Sequence, residues 1–196
     1  MKSEFTNRNI SAELYFWSQK MTNPVIENMH TRHSVRQFDS ARPIAPEDLK
    51  TIADAGIWAP SGKNRQMCSV IVITDKGLLK ELSELNCKIG GWNSGFDPFY
   101  GAPAVMIAIS RKDVPTAVYD GSVMLENIML AANSLGIGSC WIHRAKEEFE
   151  TPFGQRILKK AGLDGEWVGI GHVALGYAKA PAPQERPRLP GRIVML

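Results

Sequence analysis

The chain predicts a single globular domain that mixes helices with short strands. Three observations carry this. Apolar residues recur at helical spacing in several segments, and short β-branched or apolar runs alternate with them. Composition is ordinary for a folded protein, with 44% hydrophobic and 22% charged residues. The length, 196 residues, lets a chain bury roughly 70% of its unfolded surface in one domain without disulfides.

Residues 1–22 show no apolar period and read as an N-terminal arm or an appended segment, which leaves 23–196 as the domain. Asn23-Pro24 is a helix start, an Asn cap followed by Pro at the first helical position. Val25, Ile26 and Met29 are expected to face the core, and the period breaks at Thr31–Arg36. Pro46 opens a second helix with Glu47 and Asp48 in its first turn and Leu49, Ile52, Ala53 and Gly56 on one face. That helix must end before Pro60, where Ala59-Pro60-Ser61-Gly62 forms a turn. Val70–Ile73 reads as a strand, and Leu78, Leu82 and Leu85 as one face of a further helix. Residues 86–103, with four glycines, read as a long loop, and Ala104–Ser110 as a buried strand. The longest helix is expected over Ala117–Leu135, with Val118, Leu125, Ile128, Ala132 and Leu135 inward and Gly136 as its cap. Ser139–Ile142 is a strand, Thr151-Pro152 caps a helix to Ala161, and Val168–Tyr177 is a Gly-rich strand. The proline-rich stretch Ala180–Pro190 is extended and unfit for a central strand.

Composition also excludes function classes. No run of 18 apolar residues exists, so no membrane span is expected. The net charge of +3 and the lack of interleaved basic and aromatic residues argue against nucleic acid. The three cysteines, Cys68, Cys87 and Cys140, form no CxxC pair, so reduced thiols and a cytoplasmic location are expected, with no metal site. His30 and His33 lack a third ligand, and His143 and His172 stand alone.

Two basic clusters could make a phosphate clamp if the fold brings them together. Arg32, His33, Ser34 and Arg36 lie at a helix exit, and Arg186 and Arg188 lie two apart on the extended tail. Guanidinium forks match phosphate oxygens, and a Ser hydroxyl adds a donor. By spacing alone, both clusters also read as solvated surface. The turn Pro60–Gln66 carries Ser61, Asn64 and Gln66, whose donors and acceptors suit the edge of a heteroaromatic ring.

Four segments together resemble the nitroreductase family of FMN-dependent oxidoreductases: Arg32-His33-Ser34-Val35-Arg36, Ala59–Gln66, Leu135–Ile142, and Gly176-Tyr177 with Arg186-Pro187-Arg188-Leu189-Pro190. They fall in the family's order over about residues 24–192. The resemblance implies an α+β fold, with an antiparallel-rich central sheet flanked by helices, in an intertwined homodimer with two interface flavin sites. It assigns Arg32, His33, Ser34 and Arg36 to the FMN phosphate and ribityl chain, completed by Arg186 or Arg188. Pro60, Ser61, Asn64 and Gln66 would line the isoalloxazine edge, and Trp141, Ile142 and His143 would approach the ring through backbone groups. The implied activity passes hydride from NAD(P)H through flavin to a small-molecule acceptor such as a nitroaromatic or quinone, by a ping-pong route. No catalytic side chain is implied, because the cofactor carries the chemistry. Trp92, Phe96, Phe99 and Tyr100 in the glycine-rich loop are candidates for a substrate lid. The family's Pro-x-Glu-Gly stretch is replaced here by Ile142-His143-Arg144-Ala145. A specialised flavin enzyme of the same fold, dehalogenase-like or flavin-cleaving, and a flavin-binding module without turnover are the alternatives.

Overall fold

A computed structural model describes residues 23–182 and 187–196. Segment 1–22 and Arg186 lie outside the described residues. Helix α1, Pro24–Thr31, is capped by the Asn23 side chain, which accepts from the Ile26 amide at 2.9 Å. Its apolar residues do not reach the core: Val25 is 61% and Met29 46% exposed. α1 packs instead through Asn28, whose Nδ2 donates to the Leu130 carbonyl.

Helix α2, Pro46–Ile57, buries Leu49, Ile52 and Gly56 as its period predicts. Strand β1, Cys68–Ile73, follows the 60–66 turn. Helix α3 spans Lys76–Gly90, so it consumes the first part of the expected loop. It continues because Asn86 and Cys87 face inward, where Asn86 Nδ2 donates to Glu148 and the Cys87 thiol to the Asn93 carbonyl. It stops at Gly91, whose φ of 70° lets the Trp92 amide turn back to the Cys87 carbonyl. Strand β2, Ala104–Arg111, is followed by helix α4, Ala117–Ser134. Leu125, Ile128 and Ala132 of α4 are buried, whereas Val118 and Leu135 are exposed, contrary to the expected stripe. Strand β3, Gly138–Ile142, leads into a five-residue helix α5, Ala145–Phe149, too short to leave a periodic signal. Helix α6, Pro152–Lys160, and strand β4, Trp167–Gly176, complete the domain.

The sheet order is β1-β2-β4-β3, with every neighbouring pair antiparallel. This is the α+β architecture expected. β2 lies inside the sheet and is buried on both faces, which explains its unbroken apolar run. Val105, Ile107 and Ile109 join Leu82, Ile142 and Phe149 in one core, under α3, α5 and α6. Met106 and Ala108 join Ile52, Leu125, Ile128 and Val173 in the other, under α2 and α4. The glycines of β4 are steric necessities. A Cβ at Gly169 would strike the Ala145 carbonyl, and one at Gly171 would lie 2.9 Å from Trp141 Nε1.

Candidate functional site

The first basic cluster lies on an extended strap beside β3. α1 ends at Thr31, Arg32 takes extended dihedrals, and the Val35 amide donates to the Ser139 carbonyl at 2.9 Å. Val35 is buried against Gly138, so the flanking Ser34 and Arg36 are left nearer the surface. The strap then crosses the end of the sheet, where Phe38 bridges to Ala178 and the Lys179 amide donates to the Gln37 carbonyl at 3.0 Å. The start of the tail is thereby delivered to the strap. His33, Ser34, Arg36 and Gln37 line a cleft of 290 Å³ with Ala180 and Pro181. Arg188 is exposed.

The electrostatics of this cleft favour an anion. None of the cleft's lining residues is acidic. Arg32 approaches Glu126 of α4 at 3.5 Å, an ion pair without hydrogen-bond alignment, and its buried Nε has no hydrogen-bond partner. Arg36 and the Ser34 hydroxyl also act on Cys140. Burial pushes that thiol's pKa up, and the Arg36 charge and the Ser34 hydrogen bond offset part of the rise. Cys140 is 2% exposed and packs in the core, as its apolar setting suggests.

The 60–66 turn is a strained loop closed by hydrogen bonds. Lys63, Asn64 and Gln66 all take left-handed φ near 53–54°, each at a cost of roughly 1–2 kcal/mol for an L-residue. Ser61 holds the turn closed, because its Oγ accepts from the Gln66 amide at 3.0 Å. The buried Asp120 anchors it to α4. Its Oδ1 accepts from the Gly62 amide at 3.0 Å and its Oδ2 from the Thr116 hydroxyl at 2.9 Å. Pro60, Asn64 and Gln66 remain exposed, with Gln66 Nε2 donating to Asn64 Oδ1. Neither Asp120 nor Glu126 carries a sequence signal, since each acts across more than 50 positions.

Within one chain these two regions do not meet. The turn enters β1 at one edge of the sheet, and the strap lies beside β3 at the other. Three interstrand spacings separate those edges, about 14 Å. α4 marks the same separation: Thr116 and Asp120 at its start hold the turn, while Leu130 and Asn133 near its end hold α1.

Trp141 is half-buried on the α4 side, and its Nε1 has no partner. Ile142 is buried and His143 exposed. Of the lid candidates, Trp92 and Phe96 are 45% and 42% exposed and meet edge-on with centroids 5.4 Å apart. Tyr100 is half-buried, 6.2 Å from Phe96. Phe99 is 3% exposed and edge-on to His172. It packs with the core and also lines the cavity beside α3. The loop is pinned as well, because Asp97 accepts from the Ser83 hydroxyl and from the Phe99 and Gly101 amides. Between this loop and α3 lies a cavity of 730 Å³. No helix among the described residues is long and apolar enough to cross a membrane.

Comparison with known proteins converges on one family. The sequence profile of the nitroreductase family matches residues 29–90 and 91–177. The chain is 34% identical over 158 residues to an Archaeoglobus fulgidus protein provisionally named NADH dehydrogenase/NAD(P)H nitroreductase, covering 79% of this chain and 85% of the relative. The fold is similar to a nitroreductase with bound FMN from Bacteroides fragilis, with a TM-score of 0.81 and 30% identity over 89% of this chain and 100% of the other. It is also similar to one with bound FMN from Desulfitobacterium hafniense, with a TM-score of 0.78 and 28% identity over 90% of this chain and 100% of that one.

Proposed function

Because the chain belongs to the nitroreductase family, we propose that it is an FMN-dependent oxidoreductase that takes reducing equivalents from NAD(P)H and delivers them to a nitroaromatic, quinone or similar acceptor. The observation that carries this reading is the strap cleft, to which His33, Ser34, Arg36 and Gln37 bring donors and which no carboxylate lines. Such a donor set fits a phosphate monoester. Arg32, His33, Ser34 and Arg36 would hold that phosphate and the adjoining ribityl chain, with Arg186 or Arg188 closing over them from the tail. When bound, FMN supplies the two-electron relay between nicotinamide and acceptor.

The chain's own residues bind and orient. Pro60, Ser61, Asn64 and Gln66 would present a fixed polar edge to the ring, and Trp141, Ile142 and His143 would border it along the β3 edge. Since one chain keeps its turn and its strap apart, each complete site would combine the strap of one copy with the turn of a second. Exposed apolar residues support such pairing: Val25 and Met29 on α1, and Val118 and Tyr119 on α4, are 46–74% exposed. The three unpaired thiols suit a cytoplasmic setting.

The test is direct. The purified protein should be yellow, release FMN on denaturation, and oxidise NAD(P)H when a quinone is supplied. Released FAD, or no flavin after reconstitution, would overturn the cofactor. Bound FMN without NAD(P)H turnover would leave a binding module.

A further inference from the structure

Three polar side chains lie sealed in the core beneath α3 and α5: Asn86, Glu148 and His172, each 0% exposed. Neither the strap nor the turn uses them. His172 Nε2 lies 2.6 Å from Glu148 Oε2, and Asn86 Nδ2 donates to Glu148 Oε1 at 2.6 Å. Burying a carboxylate beside an imidazole is costly unless both are fully paired. Here Asn86 and His172 each make a second bond, and both run to the end of β3. His172 Nδ1 lies 3.2 Å from the Ile142 carbonyl, and Asn86 Nδ2 donates to the His143 carbonyl at 2.8 Å. A carbonyl only accepts, so Nδ1 carries a hydrogen, and one further proton is shared between Nε2 and Oε2. The Glu148–His172 pair is therefore neutral overall.

Peptide geometry carries this arrangement outward. The described peptides are trans and planar, so each carbonyl points opposite the next residue's amide. Fixing the Ile142 carbonyl fixes the His143 N–H, and fixing the His143 carbonyl fixes the Arg144 N–H. Both amides then point away from the buried cluster. They sit where β3 ends and Arg144 takes a left-handed φ of 87°.

We propose that Glu148 is a positioning residue for bound FMN. By clamping Asn86 and His172 it aims the His143 and Arg144 amides at the flavin ring. The inference rests on the FMN reading above. N–H donors bind a charged acceptor more strongly than a neutral one, so they favour the anionic reduced ring over the oxidised ring. Loosening the clamp should therefore change the ratio of the two affinities, whereas general loosening of the fold weakens both alike.

The experiment titrates wild type, Glu148→Ala, Glu148→Gln and Asn86→Leu with oxidised and with reduced FMN, beside melting curves. In Glu148→Gln the amide can donate to His172 Nε2 and still accept from Asn86, and the pair stays neutral, so its affinity ratio should match wild type within about threefold. Glu148→Ala should favour reduced FMN about tenfold less, which for a two-electron couple lowers the bound-flavin potential by about 30 mV. Asn86→Leu, which removes only one carbonyl's donor, should shift the ratio in the same direction and keeps the test available if Glu148→Ala does not fold. Unchanged ratios in Glu148→Ala and Asn86→Leu, or a Gln variant as impaired as the Ala variant, would overturn the clamp. A wild type that binds FMN in neither state would instead overturn the cofactor reading itself.

Discussion

Arg32 faces a carboxylate it does not properly bond. Its 3.5 Å approach to Glu126 leaves Nε unpartnered, a poised rather than satisfied guanidinium. Arg32→Ala is therefore expected to weaken FMN binding tenfold to a hundredfold, since a charge-assisted contact is worth about 1.5–3 kcal/mol. Glu126→Gln, which removes a competitor, should not weaken it. Titration of apo-protein with FMN measures both, and equal affinities in wild type and Arg32→Ala would return this arginine to the solvated surface. Arg188→Ala is read in the same titration and should lower affinity if the tail closes the clamp. Cys140 makes a second prediction at this scale. Burial raises its pKa, so the folded chain holds the thiol proton more tightly than the unfolded chain does. The resulting stabilisation is complete below the unfolded value of about 8.5 and fades as pH rises through the folded one. At pH 8 iodoacetamide should spare Cys140 in native protein and alkylate it in urea. Native alkylation at the urea rate would contradict the burial.

At the scale of elements, the 92–101 loop divides its aromatics between two jobs. Both Phe96 and Phe99 line the cavity beside α3, but Phe96 is part-exposed whereas Phe99 is buried edge-on against His172. Phe99→Ala should cost about 3–5 kcal/mol of stability. Phe96→Ala should leave the melting curve nearly intact and alter the relative rates at which a quinone and a nitroaromatic reoxidise the reduced enzyme. Identical ratios in stopped-flow measurements would remove Phe96 from any acceptor role. The same elements show what the sequence could reveal. α2 and α4 were legible because several helical turns repeat one apolar face, and β2 because a strand covered on both sides reads as a continuous apolar run. The end of α3 was not legible, since inward-facing Asn86 and Cys87 look polar or neutral until the fold supplies their partners. Val25, Met29 and Val118 have helical spacing but lie outside the core, because periodicity reports an apolar face without saying what covers it. The strap and the turn were legible as local motifs. The Asn86, Glu148 and His172 cluster was not, since it joins α3, α5 and β4 and has no fixed spacing.

For the whole molecule, the separation of strap and turn predicts that flavin binding requires a second copy of the chain. Light scattering during size-exclusion chromatography should give twice the 21.7 kDa chain mass. A monomer that still holds FMN tightly would contradict shared sites. Substituting Tyr119, 74% exposed on α4, with Glu should lower the dimer fraction and FMN content together. The β4 glycines carry a different consequence, for sequence drift. Gly91 turns with a positive φ but faces open space, so its constraint is conformational and Asn can meet it. Gly169 has no such φ, yet any side chain there would enter the Ala145 carbonyl at the start of α5. A saturation library screened only for soluble expression, with no selection for flavin, should keep glycine at 169 while admitting asparagine at 91. A position invariant in that screen would record how closely α5 is pressed onto β4, and an evolutionary profile that took invariance as a mark of chemistry would misplace the active site there.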